Sequence, residues 1–273
     1  MKHNILIGGA AGLGMDTISI LVEKILKRKG YHIHSSKDYM SRVRGGHNFI
    51  QIRVGTEPIY SHWPILDVIV ALDKETVEFH RERLTEEGII ICDEAMEVQD
   101  RRVLKVPMDR IARDVNNPRA TGSVAAGALL KLLGQNEELA AEVFGEKFEK
   151  ETAASNLAAF QQGYEFAPEK FKLSTDKKDE DILINGNAAI ALGALAGGVS
   201  FYASYPMTPA TSIMTQLSMR QDDAGIVVEQ VEDEISAVNM AIGASYAGVR
   251  AMTGTSGGGF ALMVEALSLQ GIM

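Results

Sequence analysis

Residues 232–259 read EDEISAVNMAIGASYAGVRAMTGTSGGG, and the way this run divides decides the fold. Three acids, Glu232, Asp233 and Glu234, precede a segment with helical spacing that is crowded with small residues, among them Ala237, Ala241, Gly243, Ala244 and Gly248. So many small side chains on one helix imply that something packs very close to it. VRAMTGTS then reads as a strand, and Gly257-Gly258-Gly259 opens another helix. Just upstream, GIVVEQVE (225–232) reads as a strand. A strand, a crossover helix and a second strand build a parallel sheet.

Further upstream the pattern repeats in kind. NGNAAIALGALAGG (185–198) is a small-residue helix, VSFYASYP a strand and PATSIMTQLSMRQ a helix. Residues 182–273 thus form an α/β unit. The apolar pattern still runs at Ile272-Met273. A sheet of only three strands is smaller than the usual four to six. The expectation is a fragment, or a second domain completed by further polypeptide.

The first half also alternates. NILIGGA (4–10) reads as a strand and MDTISILVEKILKRKG (15–30) as a helix with a basic last turn. YHIHSS, NFIQIRVG, DVIVALD, IIICDE and RVLKVPM read as strands, KETVEFHRERLTEEG as a helix ended by Gly88, and helices dominate from there to about Gly163. A mainly parallel sheet is expected. EFAPEKFKLSTDKKDED (165–181) is charged and lacks a sustained apolar period, which reads as a linker. The domain division is therefore 1–165, a linker over 166–181, and 182–273.

The totals narrow the function. A net charge of −9 argues against general nucleic-acid binding. Cys92 is the single cysteine, which excludes an intrachain disulfide and an iron–sulfur cluster held by this chain's own thiolates. It lies in a buried-strand pattern and reads as inert core. No apolar run approaches the roughly 20 residues of a membrane span, and the start carries no signal-peptide pattern. A cytoplasmic protein is expected, with no nucleic-acid or membrane partner, and no metal-ligand set is assigned to it.

Several constellations could carry chemistry. GGAAGLGM (8–15) joins a strand to a helix, but Ala11 stands where a dinucleotide fingerprint needs glycine, and Asp16 would repel a phosphate. A tight turn fits better than a nicotinamide site. RVRGGHN (42–48) puts Arg42 and Arg44 before a Gly-Gly turn, as an anion site, a subunit contact, or a hairpin with solvated arginines. Glu229, Glu232, Asp233 and Glu234 crowd a strand-to-helix junction. Acids there complement the helix dipole, and Asp233 can be the N-cap. The junction also lies at a strand's carboxyl end, where open α/β sheets bind ligands. Thr255, Ser256, Gly257 and Gly258 form a turn whose bare N–H groups suit an anion. In SYPMTPAT (204–211), Thr208 can cap a helix with Pro209 at its first position. Pro206 and Tyr205 are not explained by a cap. Thr208, Glu234 and the Ser256 loop all follow strand ends of one sheet.

YPMTP followed by EDEISAVNMAIGASYAGVRAMTGTSGGG resembles the pyrimidine-binding domain of 2-oxoacid:ferredoxin oxidoreductase α subunits. IGGAAGLGM and RVRGGHNFIQIRVG resemble the γ domain of the same family. The order, a γ domain fused ahead of an α domain, is similar to the 2-oxoglutarate and broad 2-oxoacid members. The resemblance implies an N-terminal γ-type α/β domain followed by a truncated thiamine-diphosphate-binding, pyrimidine-type α/β domain. It implies oxidative decarboxylation of a 2-oxoacid, 2-oxoglutarate being favoured, with coenzyme A as co-substrate and ferredoxin as electron acceptor. By the same resemblance Glu234 meets N1′ of the aminopyrimidine and so supports the imino form whose 4′-nitrogen takes the C2 proton. Thr208 contacts substrate, with Met207 in place of the usual Ile. Thr255 and Ser256 lie near substrate, and Ser256, Gly257 and Gly258 near the cofactor. A separate β subunit would hold the diphosphate, Mg²⁺ and an iron–sulfur cluster, so the chain alone should be inactive. The alternatives are a non-catalytic assembly module and, more remotely, a nucleotide-dependent dehydrogenase.

Overall fold

The structure is a computed structural model that describes residues 2–38, 46–175 and 181–272. The chain divides into two compact units, Met1–Leu183 and Ile184–Met273.

The first unit is built on a six-stranded sheet in the order β2-β3-β1-β4-β5-β6. Its strands are β1 (Lys2–Gly9), β2 (His32–Asp38), β3 (Asn48–Gly55), β4 (Leu66–Ala71), β5 (Leu84–Asp93) and β6 (Val103–Val106). β1, β4, β5 and β6 run parallel, with Ile5 beside Val68 and Ile7 beside Val70. β3 runs antiparallel to both β1 and β2. The sheet is therefore mixed rather than uniformly parallel. Parallel neighbours need a crossover of a dozen or more residues, and the stretch between Asp38 and Asn48 is too short for one.

The helices are α1 (Met15–Arg28), α2 (Lys74–His80), α3 (Met108–Asp114), α4 (Thr121–Leu132), α5 (Ala140–Lys147) and α6 (Lys150–Phe166). Side chains alternate across β1: Ile5 and Ile7 enter a core with Ile18, Leu21, Ile25, Val124, Leu129 and Phe160, while Leu6 enters another with Ile69, Val77, Ile90 and Cys92. Met15, Ile18, Val22 and Ile25 form the buried stripe of α1.

Two expectations change here. The helix expected over 74–88 stops at His80, and a single 3₁₀ turn (Arg81–Arg83) leads into β5. Leu84 pairs with Leu66, and Ile89–Cys92 pair with Val68–Ala71. Ladder pairing on a buried sheet overrides the helical preference of RERLTEE. The stretch expected to begin a linker is instead packed on the first unit: Ala167 and Leu173 are buried in its core, and the Tyr31 hydroxyl donates to the Leu173 carbonyl at 2.8 Å.

The second unit comprises α7 (Gly186–Ala196), β7 (Phe201–Ser204), α8 (Thr211–Ser218), α9 (Gln221–Ala224), β8 (Val227–Gln230), α10 (Glu234–Tyr246), β9 (Ala251–Met252) and α11 (Gly257–Gln270). Its sheet is parallel throughout, in the order β8-β7-β9. Tyr202 of the central strand is buried among Ala191, Ile213, Leu217 and Ile226. A separate cluster, Ala237, Val238, Ile242, Met263 and Ala266, joins α10 to α11. Of the small residues in this stretch, Ala237 of α10 packs in this cluster, while Gly243 and, just past the helix end, Gly248 are exposed, and an added Cβ at either meets nothing within 4 Å among the described residues.

Candidate active site

β7 lies between β8 and β9, and all three run the same way. The segments that leave their carboxyl ends therefore line one edge of the sheet, the edge where ligands bind in open α/β folds. These segments are 205–210, 231–233 and 253–256.

The acidic cluster separates into distinct roles. Asp233 has extended backbone (φ −157°), and its carboxylate accepts from the Ser236 N–H at 2.6 Å, as an N-cap should. That hydrogen bond holds the Asp233 carboxyl below its ordinary value. Glu229 and Glu232 are exposed. Glu234 alone turns inward: it is the first residue of α10 and only 4% exposed. A carboxylate is rarely buried this far unless something pairs with it. The Thr255 hydroxyl donates to Glu234 Oε1 at 3.5 Å. The loop carrying Thr255 is anchored to the central strand, since Ser204 Oγ donates to the Gly254 carbonyl at 2.7 Å.

The start of α11 is open at two positions and closed at the third. Side chains added at Gly257 or Gly258 would meet nothing within 4 Å among the described residues. A Cβ on Gly259 would stand 2.1 Å from Thr255 Oγ1 and 2.5 Å from Glu234 Oε1. Ser256 occupies the N-cap position of α11, with no side-chain capping bond among the described residues.

Thr208 is not where a helix cap would be. α8 begins at Thr211, preceded by Ala210, and the Thr208–Pro209 peptide bond is cis. The cap reading of Thr208, with Pro209 at the first helical position, is overturned. The chain instead turns over Met207–Ala210, whose carbonyl at Met207 accepts from the N–H groups of Ala210 and Thr211 at 2.8 and 3.1 Å. Asn187 on α7 holds this turn, its amide donating to the Pro209 carbonyl at 2.7 Å and to Ser212 Oγ at 2.6 Å. Thr208 itself is exposed. The hydroxyl is thus not spent on a helix start.

Asn187, Ser204 and Gly259 escaped the sequence reading. Asn187 carried a faint signal: in Asn185-Gly186-Asn187 the first asparagine caps α7 through Ala188, which leaves the second without a local task.

Arg42 and Arg44 lie outside the described residues. Next to them in sequence, His47 Nε2 sits 2.6 Å from His80 Nε2. Arg83 Nη1 lies 3.1 Å from His80 Nδ1. A guanidinium can only donate, so His80 Nδ1 accepts and its Nε2–H donates to His47. Burial, with His47 and Arg83 alongside, pulls the His80 pKa down to about 4. The GGAAGLGM turn leads into α1, whose N-cap Gly14 is left-handed (φ 90°), and Asp16 is ion-paired with Lys37. Among the described residues no group of three or more His, Cys, Asp or Glu could hold a metal ion. No described helix is long and apolar enough to cross a membrane.

A parallel α/β unit with a buried glutamate at its ligand edge, preceded by a second α/β unit, has the architecture of a cofactor-binding enzyme component. The model of the pyruvate ferredoxin/flavodoxin oxidoreductase family matches residues 4–166, and that of the thiamine-diphosphate-binding region of the same oxidoreductases matches 192–273. The chain belongs to the pyruvate ferredoxin/flavodoxin oxidoreductase family. It is 28% identical over 332 aligned residues to the 2-oxoacid:ferredoxin oxidoreductase subunit alpha of a Sulfolobus species, covering 100% of this chain and 52% of that protein. Over 86 residues, 32% of this chain and 23% of the relative, it is 48% identical to the 2-oxoglutarate synthase subunit KorA of Methanothermobacter thermautotrophicus. The 2-oxoglutarate:ferredoxin oxidoreductase of Magnetococcus marinus, solved with 2-oxoglutarate, coenzyme A and succinyl-CoA bound, superposes with a TM-score of 0.85 at 29% identity, over 96% of this chain and 49% of that one. A keto/oxoacid ferredoxin oxidoreductase gamma subunit from Geobacter sulfurreducens shares the fold over 60% of this chain, with a TM-score of 0.51 at 22% identity. The chain spans about half the length of the curated relatives it matches. The family resemblance, and the γ-type unit placed before a thiamine-diphosphate-type unit, are borne out.

Proposed function

We propose that this chain is the α component, with a γ-type domain fused ahead of it, of a 2-oxoacid:ferredoxin oxidoreductase that converts a 2-oxoacid and coenzyme A to acyl-CoA and CO2 while reducing ferredoxin. The observation that carries the proposal is Glu234, a carboxylate 4% exposed at the ligand edge of the second sheet. Its surroundings fit the aminopyrimidine end of thiamine diphosphate: an acceptor oxygen in a dry seat, beside an open glycine turn. Thiamine diphosphate, when bound, supplies the carbanion-stabilising chemistry that decarboxylation of a 2-oxoacid requires.

In this reading Glu234 accepts a hydrogen bond from a ring N–H and holds the proton-transfer end of the cofactor in register. Low surrounding polarity makes such a bond stronger than in water. Thr208, exposed on a turn braced by Asn187, offers its hydroxyl to the substrate. Ser256, Gly257 and Gly258 let the cofactor approach the backbone. The diphosphate, Mg²⁺ and an iron–sulfur cluster belong to a separate β subunit, and the working enzyme is a cytoplasmic complex. 2-Oxoglutarate is the favoured substrate, in line with the named activities of the KorA relative and the Magnetococcus enzyme. The first unit, Met1–Leu183, would be the γ-type domain and the second, Ile184–Met273, the pyrimidine-binding portion.

The test is reconstitution of full-length α with its β partner, then Glu234→Gln. Loss of a positioned acid–base group typically costs a hundredfold or more, so 2-oxoacid-dependent ferredoxin reduction should fall by about that much. Full activity in the variant would sink the assignment.

A further inference from the structure

We infer that Thr255 and Gly259 together form the seat that orients the Glu234 carboxylate, so that Thr255 acts as a positioning residue for Glu234 rather than as a substrate contact. The inference rests on the proposed role of Glu234 and adds what fixes it.

The buried residues of α10 are Glu234, Ala237, Val238, Ala241 and Ile242; those of α11 are Gly259, Met263 and Ala266. The first set falls at i, i+3, i+4, i+7 and i+8 and the second at i, i+4 and i+7, the spacing of one helix face. Glu234 therefore begins the buried stripe of α10, and Gly259 begins that of α11. The apolar layers behind them, Val238 and Ile242 against Met263 and Ala266, lock the two helices in register. The carboxylate is the terminal layer of this helix pair. It fits there because position 259 has no side chain: an added Cβ would be 2.5 Å from Glu234 Oε1 and 2.8 Å from Glu234 Cγ. The same Cβ would stand 2.1 Å from Thr255 Oγ1, and Cγ is part of the Glu234 stem rather than its tip, so relief requires the stem itself to move.

Thr255 closes the seat from the loop side. Its hydroxyl donates to Oε1 at 3.5 Å, and the loop is tied to β7 through Ser204 and Gly254. The Thr255 bond falls on Oε1, so Oε1 is the held oxygen and leaves Oε2 for a ligand. A reacting group displaced by about 1 Å can lose a hundredfold in rate, and a seat of this kind prevents such displacement.

The experiment uses full-length α with its β partner, loaded with thiamine diphosphate. The readouts are the rate of deuterium exchange at the cofactor's C2, followed by acid quench and NMR, and the KM for the 2-oxoacid. Thr255→Val should slow exchange roughly tenfold, the scale of one hydrogen bond to a charged group, and leave KM unchanged. Thr255→Ser should restore exchange to within about twofold, because the hydroxyl returns. Gly259→Ala should slow it about a hundredfold. If Gly259→Ala does not fold, the Thr255 pair still decides. A raised KM with unchanged exchange in Thr255→Val would overturn the seat and return Thr255 to the substrate. Exchange lost in Glu234→Gln yet intact in Thr255→Val and Gly259→Ala would overturn the seat alone. Exchange intact in Glu234→Gln would overturn the role of Glu234 and the seat with it.

Discussion

Two Gly→Ala substitutions in the first unit should move its stability in opposite directions. α4 and α6 meet backbone to backbone. A Cβ on Gly163 would stand 2.1 Å from the Val124 carbonyl oxygen and 2.8 Å from Val124 Cα; one on Gly127 would stand 2.0 Å from the Phe160 carbonyl oxygen. Gly145 in α5 is exposed, and an added Cβ there meets nothing within 4 Å among the described residues. Helix preference alone favours Ala over Gly by about 1 kcal/mol at either site. At Gly145 nothing opposes it, so Gly145→Ala should gain roughly 0.5–1 kcal/mol. At Gly163 the clash is with backbone, which has no rotamer to change. The helices would have to part by about 1 Å, and overpacking of a tight core costs about 1–3 kcal/mol. The upper end applies because α4 is buried on nearly every side, from Gly122 through Leu130. Net destabilisation for Gly163→Ala is then about 2 kcal/mol.

Urea unfolding followed by tryptophan fluorescence measures this directly. Trp63 is the single tryptophan and lies in the first unit, where Arg53 stacks on its ring at 5.6 Å, so the signal reports that unit alone. With an m-value of about 2 kcal/mol/M, Gly163→Ala should lower the midpoint by about 1 M. Gly145→Ala should raise it by about 0.3 M. If both variants raised the midpoint by similar amounts, the direct backbone contact between α4 and α6 would be refuted.

Two further outcomes follow from buried groups of the same unit. His80 stays neutral in the folded chain down to about pH 4, whereas an unfolded imidazole protonates at about pH 6.5. The unfolded state thus binds more protons between those values, and this contribution is complete above about pH 6.5 and lost as pH falls toward 4. His80→Asn should flatten the pH dependence of the melting temperature across that window, and an unchanged slope would show that His80 does not cause it. Cys92 is fully buried, and burial pushes its thiol up. It should resist a thiol-disulfide reagent in the native chain and react only at the unfolding rate, so immediate labelling without denaturant would contradict its placement in β5.

What could be read in advance was what local pattern dictates. NILIGGA read as a strand and MDTISILVEKILKRKG as a helix, and β1 (Lys2–Gly9) and α1 (Met15–Arg28) stand there. Asp233 announced itself as a cap by chemistry and position. The parallel order of the second sheet followed from its crossover helices. Where the reading failed, distant partners decided. Leu84–Gly88 carries helix-forming residues, and only pairing with β4 turns its start into strand. Thr208-Pro209 looked like a helix start, but the turn braced by Asn187 from α7 moved that start to Thr211. Gly259 was read only as part of the glycine run that opens a helix. Its difference from Gly257 and Gly258 comes from Thr255 in the loop and Glu234 of α10, both of which crowd it.

The two ends of the proposed site differ in what holds them. α11 buries only Gly259, Met263 and Ala266, while Phe260, Leu262, Val264, Leu267 and Leu269 are 38–55% exposed. Helices apolar on every side are normally covered, yet the one face of α11 that is covered is the face that seats Glu234. The proton-handling end therefore draws its burial from within the unit, through the α10–α11 pair. Thr208 has no comparable cover: it is exposed, and what fixes it is its backbone, through the turn at Met207–Ala210. If Thr208 serves a substrate, the pocket around its hydroxyl has to come from what docks against this edge. On the proposed reading the carboxylate is pre-set in the chain, and substrate selection is completed on assembly. Exchanging the β partner should then alter which 2-oxoacid is accepted more than it alters the C2 exchange that depends on Glu234.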